Sequence, residues 1–324
     1  MTHLSMNLYI FSFQILKGTQ TLIAGGYVNH RLVSTAYILE VHFQRDTDQV
    51  IEICYLGISN MPSRDEGLFG CMCDGRVIIG VGKEDSTDVF ELIRGNNWKM
   101  LPSRNIARAH TASCYIDNHL IVTGGYIAGQ GNLNAIEMLE ISAHHTGDKW
   151  TISSSVMPFR VSDHSLVPFN DQLLLLGGSR GHQRRSNQYS NEIWIGKFEN
   201  KIKKCAMKVE NKIKWTKLKS MVNLRAGHFS FVIDDKVYVF GGEWDGNEKQ
   251  TVEIFDGENW EIGPEYSFFL NKSNAQAGLD DKKRIIIVSK NHGIIVYNTR
   301  TGKISANENF RMKDNRQFYA SLFL

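Results

Sequence analysis

Proline is scarce in this chain, with 5 among 324 residues, and cysteine is as rare and odd in number, also 5. With so little proline, and with serine, glycine and charge spread evenly, no stretch reads as a linker. The chain reads as one domain, residues 1–324, although its length would accommodate two. An odd cysteine count does not make a disulfide framework, and no paired Cys-x-x-Cys motifs suggest zinc. Cys71 and Cys73 stand two apart on a strand-like stretch, so they share one face and are poorly placed to bridge each other. They read as small buried hydrophobes, and a reducing compartment, the cytoplasm or nucleus, is the expected setting. No apolar run reaches the ~18–20 residues of a membrane helix. Met1 to Leu16 lacks a basic start and a small-residue cleavage site, and Asn7 to Leu16 alternates like a strand. The net charge of +3 is too small to imply nucleic acid. There is no Gly-x-Ser-x-Gly, no His-Glu-x-x-His and no phosphate loop.

What the chain does have is a recurring glycine doublet. LIAGG ends at Gly26, LIVTGG at Gly125, LLLLGG at Gly178 and VYVFGG at Gly242. Gly80 and Gly82, in RVIIGVG, form a damaged copy, and RIIIVS (Arg284 to Ser289) is a copy without glycines. The marks fall roughly 45 to 65 residues apart, the range of propeller blades and other long repeats. Each doublet closes a short apolar run inside a larger unit. A strand-like stretch precedes it (Thr111 to Ile116, Ser165 to Phe169, Phe229 to Ile233), then a turn (Asp117-Asn118, Asn170-Asp171, Asp234-Asp235, Asp74-Gly75). Asx and Gly tolerate the positive φ angles of two-residue hairpin turns. A third apolar strand follows the doublet: Ala36 to Val41, Thr87 to Ile93, Ile136 to Ile141, Glu192 to Phe198, Thr251 to Phe255, Gly293 to Tyr297. In four copies a tryptophan then opens a fourth strand: Trp98, Trp150, Trp215 and Trp260. Four antiparallel strands per unit cannot hide both faces alone, and radial stacking buries them. The glycines are expected to let large aromatics of their own blade lie against the backbone.

This pattern resembles the kelch repeat, in which Gly-Gly ends the second strand, an aromatic or apolar residue marks the third and Trp the fourth. Here it reads Gly124-Gly125, Met138, Trp150 and Gly241-Gly242, Phe255, Trp260. Gly25-Gly26 and Gly177-Gly178 are further doublets. Arg108 with His110, Arg160 with His164 and Arg225 with His228 open first strands in the same manner. The resemblance covers the chain from about residue 20 onward and implies an all-β fold, a six-bladed β-propeller of four-stranded antiparallel kelch-type blades. The blades fall near 7–60, 61–104, 105–158, 159–222, 223–266 and 267–315, with 316–324 as a ring-closing strand. Arg316 to Leu324 has the form of a first strand, and Thr19 to Gly26 could supply the second strand beside it. Leu8 to Leu16 competes for the same slot, and both closures stand.

Strand alternation sorts the loops. With strands a to d, the a–b and c–d connections lie on one face of the disc and the b–c and d–a connections on the other. The b–c loops are long, and the d–a connections carry arginines. Loops on a rigid scaffold are where binding concentrates. The expected partner contacts are Arg31, Arg64, Arg108, Tyr126, Arg160, Arg180, Arg184, Arg225 and Trp244, with an acidic or phosphorylated peptide as the ligand class. For Arg108, Arg160 and Arg225, pairing within the fold is the competing reading, since a repeated residue in a repeat protein is usually structural.

Two other groups of residues are set aside. The stretch Gly196 to Lys214 carries seven lysines with only Phe198 near them, and reads as a solvated extension of the fourth c–d connection. His110, His164 and His228 could in principle converge on a metal, but ligands must lie about 2.0 to 2.1 Å from one ion, and residues a blade apart do not meet there. No metal or cofactor is expected. Kelch propellers commonly serve as substrate-recruiting parts of ubiquitin ligases or as cytoskeletal adaptors, so the resemblance implies a non-enzymatic protein-binding module. A BTB or F-box region does not fit in the twenty or so residues before the first doublet. The alternative is a kelch-fold enzyme of the oxidase or sugar epimerase type with an axial site, although no copper ligand set can be placed here.

Overall fold

Paired left-handed residues make the hairpins. In the computed structural model, Asp117 and Asn118 have φ of 48° and 57°, Asn170 and Asp171 50° and 55°, and Asp234 and Asp235 49° and 58°. Two successive positive φ angles are the signature of the turns whose twist matches paired strands. The structure describes residues 20–24, 27–28, 31–32, 34–63, 68–83, 85–94, 96–181, 188–202, 209–243, 250–270, 275–289, 291–310 and 321–323, and every regular element among them is a β-strand.

These strands form six four-stranded antiparallel sheets. In order a to d, blade 2 is Phe69–Cys73, Arg76–Gly80, Val89–Ile93 and Asn97–Leu101. Blade 3 is Ala112–Ile116, His119–Thr123, Ile136–Glu140 and Thr151–Ile152. Blade 4 is Ser165–Phe169, Gln172–Leu176, Ile193–Ile202 and Val209–Lys217. Blade 5 is Phe229–Ile233, Lys236–Phe240, Gln250–Phe255 and Trp260–Tyr266. Blade 6 is Ala275–Leu279, Arg284–Ser289, Gly293–Asn298 and Lys303–Asn307.

Blade 1 takes its inner strand from the other end of the chain. Ser321–Phe323 pairs with Gln20–Ala24 (Thr21 opposite Phe323, Ile23 opposite Ser321), followed by Ala36–Phe43 and Val50–Gly57. The six inner strands then lie side by side around the axis, with Ser321–Phe323 between those of blades 6 and 2. Of the two closures left open by the sequence, this is the C-terminal one; Leu8 to Leu16 lies outside the described residues. The seam between blades 6 and 1 carries its own staple. Arg284 stacks on Phe43 at 3.6 Å, pairs with Asp280 and donates to the Thr47 carbonyl at 3.0 Å, while Asn298 reaches Asp48.

The apolar core is distributed among the seams. One cluster joins Ile23, Leu39 and Val41 of blade 1 to Ile286 and Val296 of blade 6. Others join blades 3 and 4 and blades 4 and 5. Hydrogen bonds cross the seams at their outer radius as well. Trp98 Nε1 donates to Ser59 O (2.9 Å), Trp150 Nε1 to Pro102 O (2.8 Å) and Trp260 Nε1 to Lys219 O (2.7 Å), each reaching the preceding blade.

The glycine doublets act at the inner radius, and their role differs from the expected one. The first glycine makes room for the next blade and the second for the chain entering its own inner strand, rather than for large aromatics of its own blade. A Cβ on Gly124 would lie 2.5 Å from Val161 O, and one on Gly177 2.6 Å from Arg225 O. Both glycines have φ near +57°, where a side chain is strained in any case. The second glycine of each pair donates its N–H across the same seam: Gly125 to Val161 O (2.9 Å), Gly178 to Arg225 O (2.8 Å) and Gly242 to Leu270 O (2.7 Å). Gly25 and Gly26 lie outside the described residues.

Blade 2 departs from this pattern. Gly80 is the last residue of its second strand, the place of Thr123 and Leu176, so Val81 and not Gly80 stands where the first doublet glycine should be. Gly80 instead accommodates the Phe69 ring. Buried Arg104 occupies the position of Met157 and Met221, donates to the Val81 carbonyl and lies over Phe69 at 5.0 Å. Burial, with the nearby charge of Arg108, lowers its guanidinium to about 9.

Removing residues 321–324 is expected to open the ring. Thermal unfolding should shift down by on the order of 5–10 °C, the effect of a few kcal/mol in a domain of this size. An unchanged melting curve would show that the terminal strand contributes nothing to closure.

Candidate functional site

The inner strands of blades 3, 4 and 5 are each approached by one residue in the left-handed region. His110 (φ 58°), Asp163 (φ 54°) and Gly227 (φ 65°) each stand two residues before an inner strand. They are joined in series by backbone hydrogen bonds: Asp163 N to His110 O (3.1 Å) and Gly227 N to Asp163 O (2.7 Å). A chain that uses glycine in blade 5 holds histidine and aspartate at the same strained position in blades 3 and 4. Their side chains meet, His110 Nδ1 lying 3.0 Å from Asp163 Oδ1, both nearly buried. Ser162 Oγ donates to Asp163 Oδ2 at 3.3 Å, and the Tyr126 ring stands edge-on to His110 at 6.5 Å.

The residues just after the doublets complete this cluster. Tyr126, Ser179 and Glu243 bridge in antiparallel fashion to Ala109, Ser162 and Ala226. Tyr189 bridges to Ser179 and donates its hydroxyl to Glu243 at 3.4 Å, and Asn132 donates to Ser179 O at 2.7 Å. The inner end of the b–c/d–a face is therefore lined by Tyr126, Tyr189, Asp163, Glu243 and His110. Among these, sequence reading had singled out Tyr126 alone as a contact. Aligning the chain by distance to the inner strand, instead of by its arginines, would have put His110, Asp163 and Gly227 in one column.

That alignment also corrects the arginines. Arg108, Val161 and Arg225 are equivalent, each four residues before an inner strand, while Arg160 sits one earlier, beside Ala107 and Leu224. His164 and His228 directly precede their strands and correspond to Thr111, not to His110. His164 crosses a seam to Thr123 Oγ1 at 2.8 Å, and its ring, like that of His228, packs over a doublet glycine. Among the described residues no group of three or more His, Cys, Asp or Glu is placed to hold a metal ion.

Arg108 and Arg225, expected as partner contacts, are fully buried and cannot reach a partner. Arg108 pairs with Glu137 at 3.0 Å, and Arg225 pairs with Glu253 at 3.0 Å. Arg225 also donates to the carbonyls of Gly241 and Thr251, both at 2.7 Å. Each glutamate accepts backbone N–H groups from the preceding d–a connection, Asn105 on Glu137 and Val222 on Glu253. The burial follows from position: four residues before the inner strand the chain has already turned inward beneath the doublet.

Arg180 is half-buried and occupied. It pairs with Glu192 and stacks on Phe159 at 3.6 Å. Burial alone would raise the Glu192 carboxyl, but hydrogen bonds from Lys217, Arg180 and Trp194 outweigh it and hold it at about 2. Arg160 alone among the described arginine candidates is exposed. Arg64, Arg184 and Trp244 lie outside the described residues, as does the side chain of Arg31, whose backbone forms a small hairpin with Tyr27–Val28 in the first b–c loop.

Blade 4 shows that the Arg–Glu pair is replaceable, since Val161 and Trp194 occupy its two positions. Arg108→Met or Glu137→Leu alone is expected to cost about 3–5 kcal/mol by leaving a buried charge unpaired. The double variant should cost well under the sum in chemical denaturation. Additive losses would show that the two side chains do not act as a pair.

Residues 224–265 match the family model described as the Kelch motif. No curated protein matches the chain. Among solved structures it is similar to one titled "Structure of YjhT", with a TM-score of 0.66 and 12% identity, over 93% of this chain and 97% of that one. At that identity the likeness concerns the fold, which agrees with the six sheets and the closed ring of inner strands. The chain is a six-bladed β-propeller that carries a Kelch motif in its fifth blade.

Proposed function

We propose that this propeller is a non-enzymatic interaction module that holds a protein partner on its b–c/d–a face, in the manner of a substrate-recruiting or cytoskeletal adaptor. One observation carries the reading. The residue immediately before the inward turn is presented to solvent in three consecutive blades: Arg160, Leu224 (42% exposed) and Phe269 (51% exposed). Val156 and Val222 are exposed nearby on the same connections. Large apolar side chains gathered on one face of a folded domain mark interaction surfaces. With Arg108 and Arg225 buried, the partner is recognised by an apolar arc ending in Arg160, and its acidic character is matched there and not around the whole ring. The proposed setting is the cytoplasm or nucleus, supported by the four described cysteines, Cys54, Cys71, Cys73 and Cys114, all of which are unbridged.

A second reading, an enzyme with an axial site, has the buried His110–Asp163 pair in its favour, because strained residues cluster where a fold holds groups for chemistry. Affinity capture from native lysate separates the two. The triple variant Arg160→Glu, Leu224→Glu, Phe269→Glu is expected to melt as wild type does and to lose the specific partners recovered by mass spectrometry. Unchanged capture would refute the docking face. Stoichiometric copper in the purified protein, or turnover of a sugar lost in Asp163→Asn, would favour the enzyme.

A further inference from the structure

The fourth blade carries a basic β-ribbon on the face opposite the proposed docking arc. The small overall charge conceals it. Residues 193–217 hold eight lysines and two glutamates, so this hairpin carries +6 while the rest of the chain totals −3, against +3 overall. The second strand of the blade pairs only as far as Gly196, opposite Leu173. From there the hairpin continues alone through six residue pairs, from Lys197 opposite Lys214 to Ile202 opposite Val209. At ~3.4 Å per residue it runs for about 20 Å as a two-stranded ribbon.

Register sorts its residues onto two faces. Gly196, Trp215, Phe198 and Ile213 share one face. That face is anchored: Ile213 is buried, Phe198 and Trp215 pack on the core between blades 3 and 4, and Ile213 N donates to Ser155 Oγ at 2.9 Å. The other face carries Lys197, Lys212 and Lys214 with Glu199 among the described side chains. Lys197, Lys212 and Lys214 are exposed, and among the described residues none of them forms an ion pair, whereas Lys217 at the base is held by Glu192. Lys197 and Lys214 stand directly opposite each other, an arrangement that costs stability in a two-stranded sheet. Glu199, opposite Lys212, is the one described carboxylate beside these three exposed lysines, so the anchored ribbon presents a net positive face to an external anion.

We propose that this ribbon binds the phosphate backbone of a nucleic-acid duplex. A two-stranded β-ribbon is one of the elements that the major groove of a duplex admits. The cations of this face are all lysine, with no arginine fork and no aromatic beside them, which suits phosphate contact without reading of bases.

The test is fluorescence anisotropy with labelled mixed-sequence DNA and RNA duplexes between about 50 and about 200 mM salt. Three ribbon lysines on phosphates give a slope of log affinity against log salt of about −3. Lys197→Gln with Lys214→Gln is expected to weaken binding and to reduce that slope by about 2. Its melting temperature should equal or exceed that of wild type, because a like-charge pair is relieved. A control pair on other blades, Lys99→Gln with Lys149→Gln, should leave the slope unchanged. Preference for one duplex identifies the source. Failure of wild type to bind either duplex, an unaltered slope in the ribbon variant, or capture by phosphatidylserine vesicles without duplex binding would overturn the proposal. None of these readouts involves the b–c/d–a face.

Discussion

The inner hydrogen bond across the seams that follow blades 3, 4 and 5, from the second doublet glycine to a carbonyl of the next blade, is the contact on which the packing of these blades depends. It places two backbones so close that the first glycine has no room for a Cβ, and it requires the left-handed conformation that glycine adopts without strain. The chain therefore spends its most permissive residue where blades meet, and leaves the strand cores to Ile, Val, Leu and Phe. At the outer edge the tryptophan N–H of blades 2, 3 and 5 reaches back to the preceding blade, so the seam between blades 4 and 5 is crossed in both senses. Fixed at two radii, these two blades have little freedom to slide. In blade 4, Trp215 Nε1 has no acceptor, and Ser155, at the position of Ser59, Pro102 and Lys219, uses its hydroxyl to hold Ile213 N instead. The seam is kept there by a different atom, and the blade with the long ribbon is the one that needed the exchange.

Charge is buried where backbone must be satisfied. The d–a connections bring free N–H groups into the interior, and Glu137 and Glu253 accept them. A carboxylate there needs a cation, and Arg108 and Arg225 supply it. Arg225 belongs to both kinds of contact: its carbonyl accepts from Gly178 and its guanidinium holds Glu253. Blade 4 does without the pair through Val161 and Trp194, so these ion pairs are local solutions to backbone burial rather than a requirement of the repeat.

The period, the hairpin turns and the six units were legible in the sequence because they rest on local chemistry. Asx pairs prefer positive φ, and alternating apolar runs have a period of two. What the glycines touch was not legible, because their partners lie a whole blade away. Nor was the register of the arginines: Arg108 precedes His110 by two residues, Arg160 precedes His164 by four and Arg225 precedes His228 by three. Three unequal spacings cannot describe one structural column, and that mismatch was the available sign that Arg160 and His110 do not belong with the others. Ring closure stayed open because two segments had strand-like alternation, and only the pairing of Thr21 with Phe323 separates them.

Proteins that bind through a propeller have two discs of loops to use, and this chain gives them opposite characters. The b–c/d–a side is built from the latch: the same inward turn that buries Arg108 and Arg225 lifts the preceding residue into solvent, so its apolar arc is a by-product of how the blades lock. The other side has minimal a–b turns, a blade 3 c–d loop held against Arg76 of blade 2, and the long extension of one c–d hairpin. An element that grows outward from a single blade is not required by the ring, which closes through inner strands alone. Its lysines therefore cannot be explained by the fold, whereas the arginines on the docking side largely can. Repetition identifies what the architecture needs, and departure from repetition is where a separate activity is to be sought.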